Sequence, residues 1–374
     1  MPSLSELMRA VAPAREHGGI VAAELAALGI DAASVLDVST SVNPYGPAPV
    51  LEQAVRAAVL ESYPDPTAAP ARAALARACA TTADRVVVGN GATELLWTLA
   101  RVLLAPGETL LVCEPAFSEL RVAAVHAGAR VAEWRAGAAQ DFALDLPAIA
   151  RRAGAAGARV VALCVPASPS GAAVAVAEVA ALAAELGDAV LVLDQSFLAL
   201  SERYHERTIV LPGNVVCVRS LTKEHGIPGV RVGYLLAAAR LAAVVEASRP
   251  AWTVGASAQA AAIAACTAAA EAFVAASRAR LLDECATLAA AIAALGFRIL
   301  PSTVPFFLVE VADAAALRRR LLAGHGILVR DCTSFGMPGH VRIAARGGRA
   351  AQRIVAAFAD CADWASAARR EACS

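Results

Sequence analysis

The sequence shows no excess of charge of either sign. Its 374 residues carry 33 Lys and Arg side chains against 33 Asp and Glu, so the formal net charge is zero. Proteins that attract nucleic acids or anionic membranes over long distances carry a surplus of basic residues. We therefore expect neither kind of partner.

A secretion signal and a long, strongly apolar run are also missing. The first thirty residues contain Glu6, Arg9, Arg15 and Glu16, which leave no room for the apolar region of a signal peptide. The longest uncharged stretch, residues 250–270, is mostly Ala with Ser, Thr and Gln. This weakly apolar stretch predicts a buried helix rather than a membrane span, and we expect a cytoplasmic protein.

Paired cysteine motifs are absent too. The nine cysteines are scattered, odd in number and without a C-x-x-C pair. In a chain of this length they predict reduced, buried side chains rather than a disulfide framework. No metal site is expected.

The sequence does contain an alternation of short β-branched runs with longer amphipathic segments. Residues 85–88 predict a strand, and Leu95, Leu99, Val102 and Leu103 share one face of the helix that follows. This alternation is typical of an α/β fold in which helices cover both faces of a mostly parallel sheet. Further strands are predicted at 109–113, 130–134, 159–165, 189–194 and 215–220.

The length predicts two domains, each with its own core. We divide the chain into an N-terminal segment (1–40), a large domain (41–254), and a linking helix with a small α+β C-terminal domain (255–374). The Ala-rich helix is placed at 255–294, and the N-terminal segment is expected to pack against the large sheet. In the small domain, strands are predicted at 297–300, 306–311, 327–330 and 340–344, and a helix at 314–322.

Two polar segments fall at the ends of predicted strands, where open α/β sheets bind ligands. Residues 89–94, Gly-Asn-Gly-Ala-Thr-Glu, place N–H groups and the Thr93 hydroxyl at a helix N-terminus, which favours a phosphate site. A simple tight turn explains this segment equally well. Asp194 ends an apolar strand, where a protonated pyridine nitrogen would balance its buried charge. A capping aspartate is the alternative.

The most informative segment is residues 220–234, Ser-Leu-Thr-Lys-Glu-His-Gly-Ile-Pro-Gly-Val-Arg-Val-Gly-Tyr. Lys223 directly follows a predicted strand and two hydroxyl residues, which suits a Schiff-base nucleophile beside a phosphate. Arg231 supplies a permanent, forked cation for that phosphate. A polar loop with a solvated lysine explains neither the hydroxyl spacing nor the Gly-x-Arg-x-Gly pattern. His225, beside the lysine, is interpreted as structural.

This segment resembles the lysine signature of the class I and II aminotransferases, S-x-[ST]-K-x-x-x-x-x-G-x-R-x-G-Y. The resemblance covers nearly the whole chain and implies the aspartate aminotransferase fold, a homodimer, and pyridoxal 5′-phosphate (PLP) as cofactor. It implies that Lys223 binds the cofactor covalently and that Asp194 binds its pyridine nitrogen. The other cofactor-binding residues that it implies are Gly91, Ala92, Thr93, Ser220, Thr222 and Arg231, with Phe117 stacked on the ring and Tyr63 reaching the phosphate from the partner subunit.

The resemblance also assigns residues to the substrate. Arg342 is similar to the family's arginine for the substrate carboxylate, and Arg330 is available for a second anionic group, although a surface arginine on a strand edge is the alternative. The segments around His17, Asn43, Phe117 and Arg330 together resemble the threonine-phosphate decarboxylase branch, which lies close to histidinol-phosphate aminotransferase. In that branch His17 and Asn43 help to form the substrate pocket.

The sequence departs from the family pattern at two positions near the cofactor. Ser168 stands where the family usually has an asparagine that hydrogen-bonds the phenolic oxygen of PLP, and Phe197 replaces a tyrosine with the same partner. A serine hydroxyl or a bridging water can supply the missing contact, so Ser168 is assigned to the cofactor site. We expect these changes to affect substrate choice and reaction type rather than the core machinery.

The expected function is that of a PLP-dependent lyase similar to threonine-phosphate decarboxylase. The alternatives are an aminotransferase of the histidinol-phosphate type and a specialised enzyme of secondary metabolism derived from this branch. The same residues serve all three activities, because which bond at the substrate Cα is broken depends on substrate orientation within about an ångström. A non-catalytic binding protein is disfavoured because Lys223, Asp194 and Arg231 are all present. The expected substrate is a small amino acid, with or without a phosphate.

Overall fold

The computed structural model describes residues 17–208 and 212–364. Up to residue 236 its helices and longer strands are α1 Ala22–Leu28, β1 Leu36–Asp37, α2 Pro49–Arg56, α3 Ala69–Ala78, β2 Val86–Gly89, α4 Gly91–Leu103, β3 Thr109–Glu114, α5 Glu119–His126, β4 Arg130–Arg135, α6 Leu146–Ala156, β5 Ala158–Cys164, α7 Val176–Glu185, β6 Val190–Asp194, β7 Val215–Ser220 and β8 Gly233–Leu236. Beyond it they are α8 Ala239–Ala247, α9 Ala256–Ala265, α10 Ala268–Ala294, β9 Arg298–Ile299, β10 Phe306–Glu310, α11 Ala314–His325, β11 Ile327–Leu328, β12 Arg330–Asp331, β13 His340–Ala344 and α12 Gly348–Ala359.

The central sheet has seven strands in the order β2-β8-β7-β6-β5-β3-β4. Strand β8 runs antiparallel to both of its neighbours, and the other pairs are parallel. The predicted α/β fold and the six predicted strands of this sheet are confirmed, with strand ends that differ by at most one residue. Strand β8 is absent from the prediction because its four residues follow closely on the lysine segment and are too few to show a pattern.

Side chains of the strands alternate between two cores, one on each face of the sheet. Val192 of β6 packs in the cluster that contains Leu95 and Leu99 of α4, whereas its neighbours Leu191 and Leu193 pack in the cluster on the opposite face. This period of two follows from the pleat of a strand. Strands β2, β3 and β7 are buried along their whole length, as expected of strands that helices cover on both sides.

The C-terminal part forms an antiparallel sheet in the order β12-β13-β10-β9. Its core contains Phe307 of β10, Leu317 of α11 and Phe358 of α12, and the rings of Phe297 and Phe358 meet edge-on with centres 5.2 Å apart. The predicted elements of this region are confirmed, except that residues 327–330 divide between two short strands, β11 and β12. The domain boundaries given above remain our proposal.

The Ala-rich region that is predicted as one helix forms two, α9 and α10, bent by 76°. The Thr267 hydroxyl accepts the N–H of Ala270 and caps the start of α10. A threonine cap begins a new helix, but the alanines on both sides of Thr267 hide this boundary in the sequence. Among the described residues, no single helix is long and apolar enough to cross a membrane, although this bent pair together meets the criteria of length and composition.

The N-terminal segment joins the small sheet region rather than the central sheet alone. Strand β1 pairs in parallel with β11, and Leu25 of α1 packs with Leu322 and Leu328. The expectation that this segment packs against the large sheet is therefore incomplete, because a two-residue strand carries too little pattern to reveal its partner. After this pairing, Val38 accepts the N–H of Ala344 in β13, and the N–H of Asn43 donates to the carbonyl of Lys223 in the loop after β7.

Candidate active site

The polar residues predicted from the sequence gather at the carboxyl end of the central sheet. Strands β6 and β7 are parallel neighbours, β6 ends at Asp194 and β7 at Ser220. The loop after β7 then presents Lys223, which is the only lysine of the chain. This is the edge at which parallel sheets bind their ligands.

Lys223 lies in an environment that favours its neutral, nucleophilic form. Burial lowers the pKa of Lys223, and the positive charges of Arg342 and Arg231 lower it further, while Asp194 and Glu224 act in the opposite direction. The amine is 6.0 Å from the centre of the Phe197 ring. A lysine whose pKa is reduced in this way is suited to attack a carbonyl group.

Asp194 is a half-buried carboxylate with no cation in contact among the described residues. Burial raises its pKa, an effect that the Ser196 hydrogen bonds and the charge of Lys223 oppose. Its Oδ1 accepts the N–H of Ser196 at 2.8 Å, and within the described ranges Asp194 forms no ion pair at contact distance. Asp194 and Phe117 line the same cavity. A protonated ring nitrogen placed beside Asp194 would supply the missing cation.

The guanidinium of Arg231 lies against the start of α4, and the two together form a cradle whose charge suits an anion. Gly91, the first residue of α4, has a φ of +76°, and a Cβ added there would lie 2.5 Å from Nη2 of Arg231. Glycine is therefore required for the guanidinium to approach the helix N-terminus, where Ala92 and Thr93 form the first turn. Arg231 itself has a φ of +58°, a strained conformation of a kind that clusters at ligand clamps.

The hydroxyl groups of Ser220 and Thr222 are paired beside this cradle. Their oxygens are 2.7 Å apart, and the N–H of Thr222 donates to Ser220 Oγ at 3.1 Å. Both side chains are buried. The pair fixes the conformation of the chain just before Lys223.

Arg342 is buried and points toward the segment that carries Ser168. It donates to Ser168 Oγ at 2.9 Å and to the carbonyl of Ser39 at 2.7 Å, and burial lowers the pKa of Arg342 to about 10. Among the described residues its Nε has no partner. Ser168, which the sequence assigns to the cofactor, is therefore in direct contact with the arginine that is predicted to bind the substrate.

Arg330 and Arg342 are directly opposite one another on β12 and β13. Arg330 is 6% exposed, donates to Ser334 Oγ at 2.6 Å and lies over the ring of Phe335. Its charge contributes to the lowered pKa of Arg342. Like charges at opposed positions of a strand pair destabilise it, and the negative charge of Asp37 acts on Arg342 in the opposite direction.

His17 is held beside Phe117 by residues that sequence reasoning does not identify. Its Nε2 lies 3.2 Å from Oε1 of Glu119, and Trp97 Nε1 donates to the other carboxylate oxygen at 2.6 Å. Glu119 is only 1% exposed, and the rings of His17 and Phe117 are 5.4 Å apart. The sequence signal for Glu119 is weak, because a charged residue at the start of a helix is common.

Asn43, which is predicted to help form the substrate pocket, is hydrogen-bonded to the backbone of the lysine loop. Its N–H donates to the carbonyl of Lys223 and its side-chain amide to the carbonyl of Glu224, each at 2.8 Å. Gly46 of the same turn approaches so closely that an added Cβ would lie 2.4 Å from the carbonyl oxygen of His225. The Asn-Pro-Tyr-Gly-Pro segment therefore fixes the backbone of the lysine loop at residues 223–225.

Tyr63 stands apart from these groups within one chain. It is 81% exposed, and its ring packs against Trp252 with centres 5.0 Å apart. The eight cysteines of the described ranges are all free, and most are buried.

Comparisons with known proteins agree with this geometry. The family described as aminotransferase class I and II matches residues 33–357. The histidinol-phosphate aminotransferase of Symbiobacterium thermophilum is 34% identical over 314 residues, 83% of this chain and 85% of that protein.

Two solved structures share the fold. The histidinol-phosphate aminotransferase of Sinorhizobium meliloti in complex with PLP superposes with a TM-score of 0.82 at 24% identity, covering 92% of this chain and 95% of that one. The L-threonine-O-3-phosphate decarboxylase of Porphyromonas gingivalis superposes with a TM-score of 0.77 at 26% identity, covering 87% and 99%. The aspartate aminotransferase fold is thereby confirmed.

The residues present fit PLP. The Gly91 and Arg231 arrangement matches a phosphate, the Asp194 carboxylate matches a protonated ring nitrogen, and the half-buried Lys223, whose pKa is lowered, matches an aldehyde carbon. With a family match across most of its length and this complement of residues, the chain belongs to the class I and II aminotransferase family and uses pyridoxal 5′-phosphate as its cofactor.

Proposed function

We propose that the chain is an aminotransferase of the histidinol-phosphate type, acting on a small amine that carries a phosphate. Similarity to histidinol-phosphate aminotransferases over more than four fifths of the chain supports transamination. The single observation that carries the anionic substrate is the opposed pair Arg330 and Arg342. The lyase that we expected first has weaker support, from one structural neighbour and from the short segments around His17 and Phe117.

The arginine pair discriminates between substrates by charge. Two buried guanidinium groups at opposed positions repel one another, and each also loses hydration. A phosphate or carboxylate near both would relieve the repulsion and accept charge-assisted, bidentate hydrogen bonds. A neutral amine would accept no such hydrogen bonds.

The roles of the site residues follow from their positions. When bound, PLP supplies an electron sink that weakens the bonds at the substrate Cα. In the proposed arrangement Lys223 holds the cofactor and later moves the proton at Cα, because its amine has a lowered pKa. Asp194 keeps the ring nitrogen protonated, Phe117 covers the ring, and Arg231 holds the phosphate at the start of α4. The remaining proposed contacts are those of Thr93, Ser168, Ser220 and Thr222 with the cofactor.

The direct test separates the two reactions by their products. In one sample the PLP-loaded protein is mixed with histidinol phosphate alone, and the cofactor spectrum is followed. In a parallel sample it is mixed with L-threonine O-phosphate, and both the spectrum and the release of CO₂ are followed. Accumulation of pyridoxamine 5′-phosphate with histidinol phosphate supports the proposal. Release of CO₂ with regeneration of the original spectrum would instead establish the decarboxylase.

Replacement of Arg330 by Gln should raise KM selectively for a phosphorylated amine. Loss of a charge-assisted contact costs about 1.5–3 kcal/mol, so we expect an increase of about 10- to 100-fold. Steady-state kinetics with histidinol phosphate and a 2-oxo acid measure the effect, and unphosphorylated histidinol is the matched control substrate. Equal losses on both substrates would contradict a phosphate contact at Arg330.

We also propose a homodimer in which Tyr63 serves the partner subunit. Val59, Leu60 and Tyr63 are 59%, 83% and 81% exposed, an apolar surface that a second copy would cover. Light scattering should give twice the chain mass of 38.0 kDa. Tyr63→Ala should weaken PLP binding with no change in the fold; a monomeric wild-type protein with full activity would contradict the arrangement.

A further inference from the structure

A second cavity adjoins the lysine loop, and apart from Ser220 none of the residues assigned to the cofactor or the substrate lines it. It lies between α3, β7, β8 and the start of α10 and offers about 80 Å³ to water molecules. Polar groups of Arg219, Glu224 and His225 form part of its wall. Since one water needs on the order of 10–15 Å³ of such volume, the cavity has room for several.

Two groups in this wall are buried but incompletely hydrogen-bonded. Glu224 and His225 are each 4% exposed, and within the described ranges Oε2 of Glu224 and Nδ1 of His225 have no protein partner. Buried polar atoms are nearly always paired, so exceptions indicate bound water or a functional role. An unpaired carboxylate oxygen is the more costly of the two.

Arg219 is a second cation whose charge acts on Glu224, after that of Lys223. It is 7% exposed and donates to Gln195 Oε1 and to the carbonyl of Arg207, each at 2.8 Å. Among the described residues it forms no ion pair with a carboxylate. Arg219 therefore acts on Glu224 through the field in the cavity rather than through a contact.

Glu224 is the chain neighbour of Lys223 on a loop that Asn43 holds in place. Burial raises the pKa of Glu224 to about 8, against the backbone N–H groups and the charges of Lys223 and Arg219. In turn, the charge of Glu224 raises the pKa of Lys223. The carboxylate thus changes its charge in a pH range where enzymes work, beside an amine whose charge decides reactivity.

We propose that Glu224 is a positioning residue for the chemistry of Lys223, and that its carboxylate, facing the second cavity, sets the pH at which the lysine amine loses its proton. When Glu224 ionises, its proton leaves through water in the cavity, and the new negative charge stabilises the ammonium form of Lys223. Asp194 lies in the wall of the other cavity, beside Phe117. The functional meaning of this inference rests on the proposed role of Lys223, but the test below does not require the cofactor.

Other ionisable groups face Glu224 from the elements around the cavity. Arg207 and Glu271 of α10 neutralise one another in an ion pair of 2.6 Å. His225 is neutral at pH 7, because burial lowers its pKa to about 4. The other charged groups that act on Lys223 are Asp194, Arg231 and Arg342. The remaining ionisable side chains of the cavity wall are those of Cys79, Tyr204, Tyr234 and Cys266.

The test exploits the fact that Lys223 is the only lysine. The cofactor-free protein is acetylated briefly with acetic anhydride at a series of pH values, and mass spectrometry of the peptide that contains residue 223 gives the rate. Wild type, Glu224→Gln and Glu224→Asp are compared. Glu271→Gln is the matched control, because this carboxylate lines the same cavity but is exposed and paired with Arg207.

The expected result depends on pH. Below about pH 7 the wild type and Glu224→Gln react alike, since Glu224 is then neutral. At about pH 9 Glu224→Gln reacts threefold or more faster, because no carboxylate stabilises the ammonium form. Glu224→Asp returns toward the wild-type profile, and Glu271→Gln retains it.

A purely structural role predicts the reverse order. The isosteric Gln would then behave as wild type and the shorter Asp would be disturbed at every pH. Identical profiles for wild type and Glu224→Gln, or an equal change in Glu271→Gln, would overturn the inference. Failure of the protein to bind PLP would overturn the proposed function but leave these acetylation profiles interpretable.

Discussion

Replacement of Lys223 by Ala should abolish turnover while the fold persists. The lysine is proposed both to hold the cofactor and to move the proton at the substrate Cα, and loss of a positioned acid–base group alone costs about 10²- to 10⁴-fold. Loss of the covalent attachment adds to this, so we expect a decrease of at least about 10³-fold in kcat. Steady-state kinetics with the preferred amine measure it.

The covalent link has a separate and simple readout. Reduction of the PLP-loaded wild type with borohydride should leave one phosphopyridoxyl group, the mass of the cofactor less one oxygen, on the peptide that contains Lys223. Lys223→Ala contains no lysine at all, so none of its side chains should gain this adduct. Lys223→Arg is the matched control for charge, and circular dichroism reports the fold. An Ala variant that keeps a tenth of the activity would contradict the assignment.

Replacement of Asp194 by Asn should lower activity by about 10²- to 10³-fold, the usual cost of removing one electrostatic group at a reacting centre. The amide occupies the same space but offers no negative charge to the ring nitrogen of the cofactor. Asp194→Glu keeps the charge and is the matched control. Activity of the Asn variant within threefold of wild type would contradict the pairing.

The same substitution should have the opposite effect on the stability of the cofactor-free protein. Because burial raises the pKa of Asp194 above its value in the unfolded chain, this group stabilises the fold fully only below the unfolded pKa. That contribution is lost as pH rises through the folded pKa. Asp194→Asn should therefore be more stable than wild type near pH 7, with a smaller difference near pH 4, as measured by urea unfolding.

The sequence predicts the central sheet and the lysine loop well because their signals are local. Each buried strand is a short β-branched run, and Lys223, Arg231 and the two hydroxyls lie within one segment of fifteen residues. Asp194 is identifiable because a carboxylate that ends an apolar strand is costly and needs a partner.

Features that depend on distant contacts are not predictable in this way. The carboxylate of Glu119 meets Trp97 and His17, which lie 22 and 102 residues away along the chain. Strand β1 pairs with β11, which lies almost 300 residues later in the chain. Oε2 of Glu224, which has no partner among the described residues, faces a cavity to which seven elements or loops contribute. The sequence gives no indication of such a cavity.

Arginine supplies every basic side chain except one, and this makes the lysine a spectroscopic reporter. Protein grown on lysine labelled with ¹³C or ¹⁵N would give a single side-chain amine signal, free of overlap from the surface. Its chemical shift would follow protonation, cofactor attachment and substrate release in turn. The chain therefore carries a built-in, site-specific probe that most proteins acquire only through extensive mutagenesis.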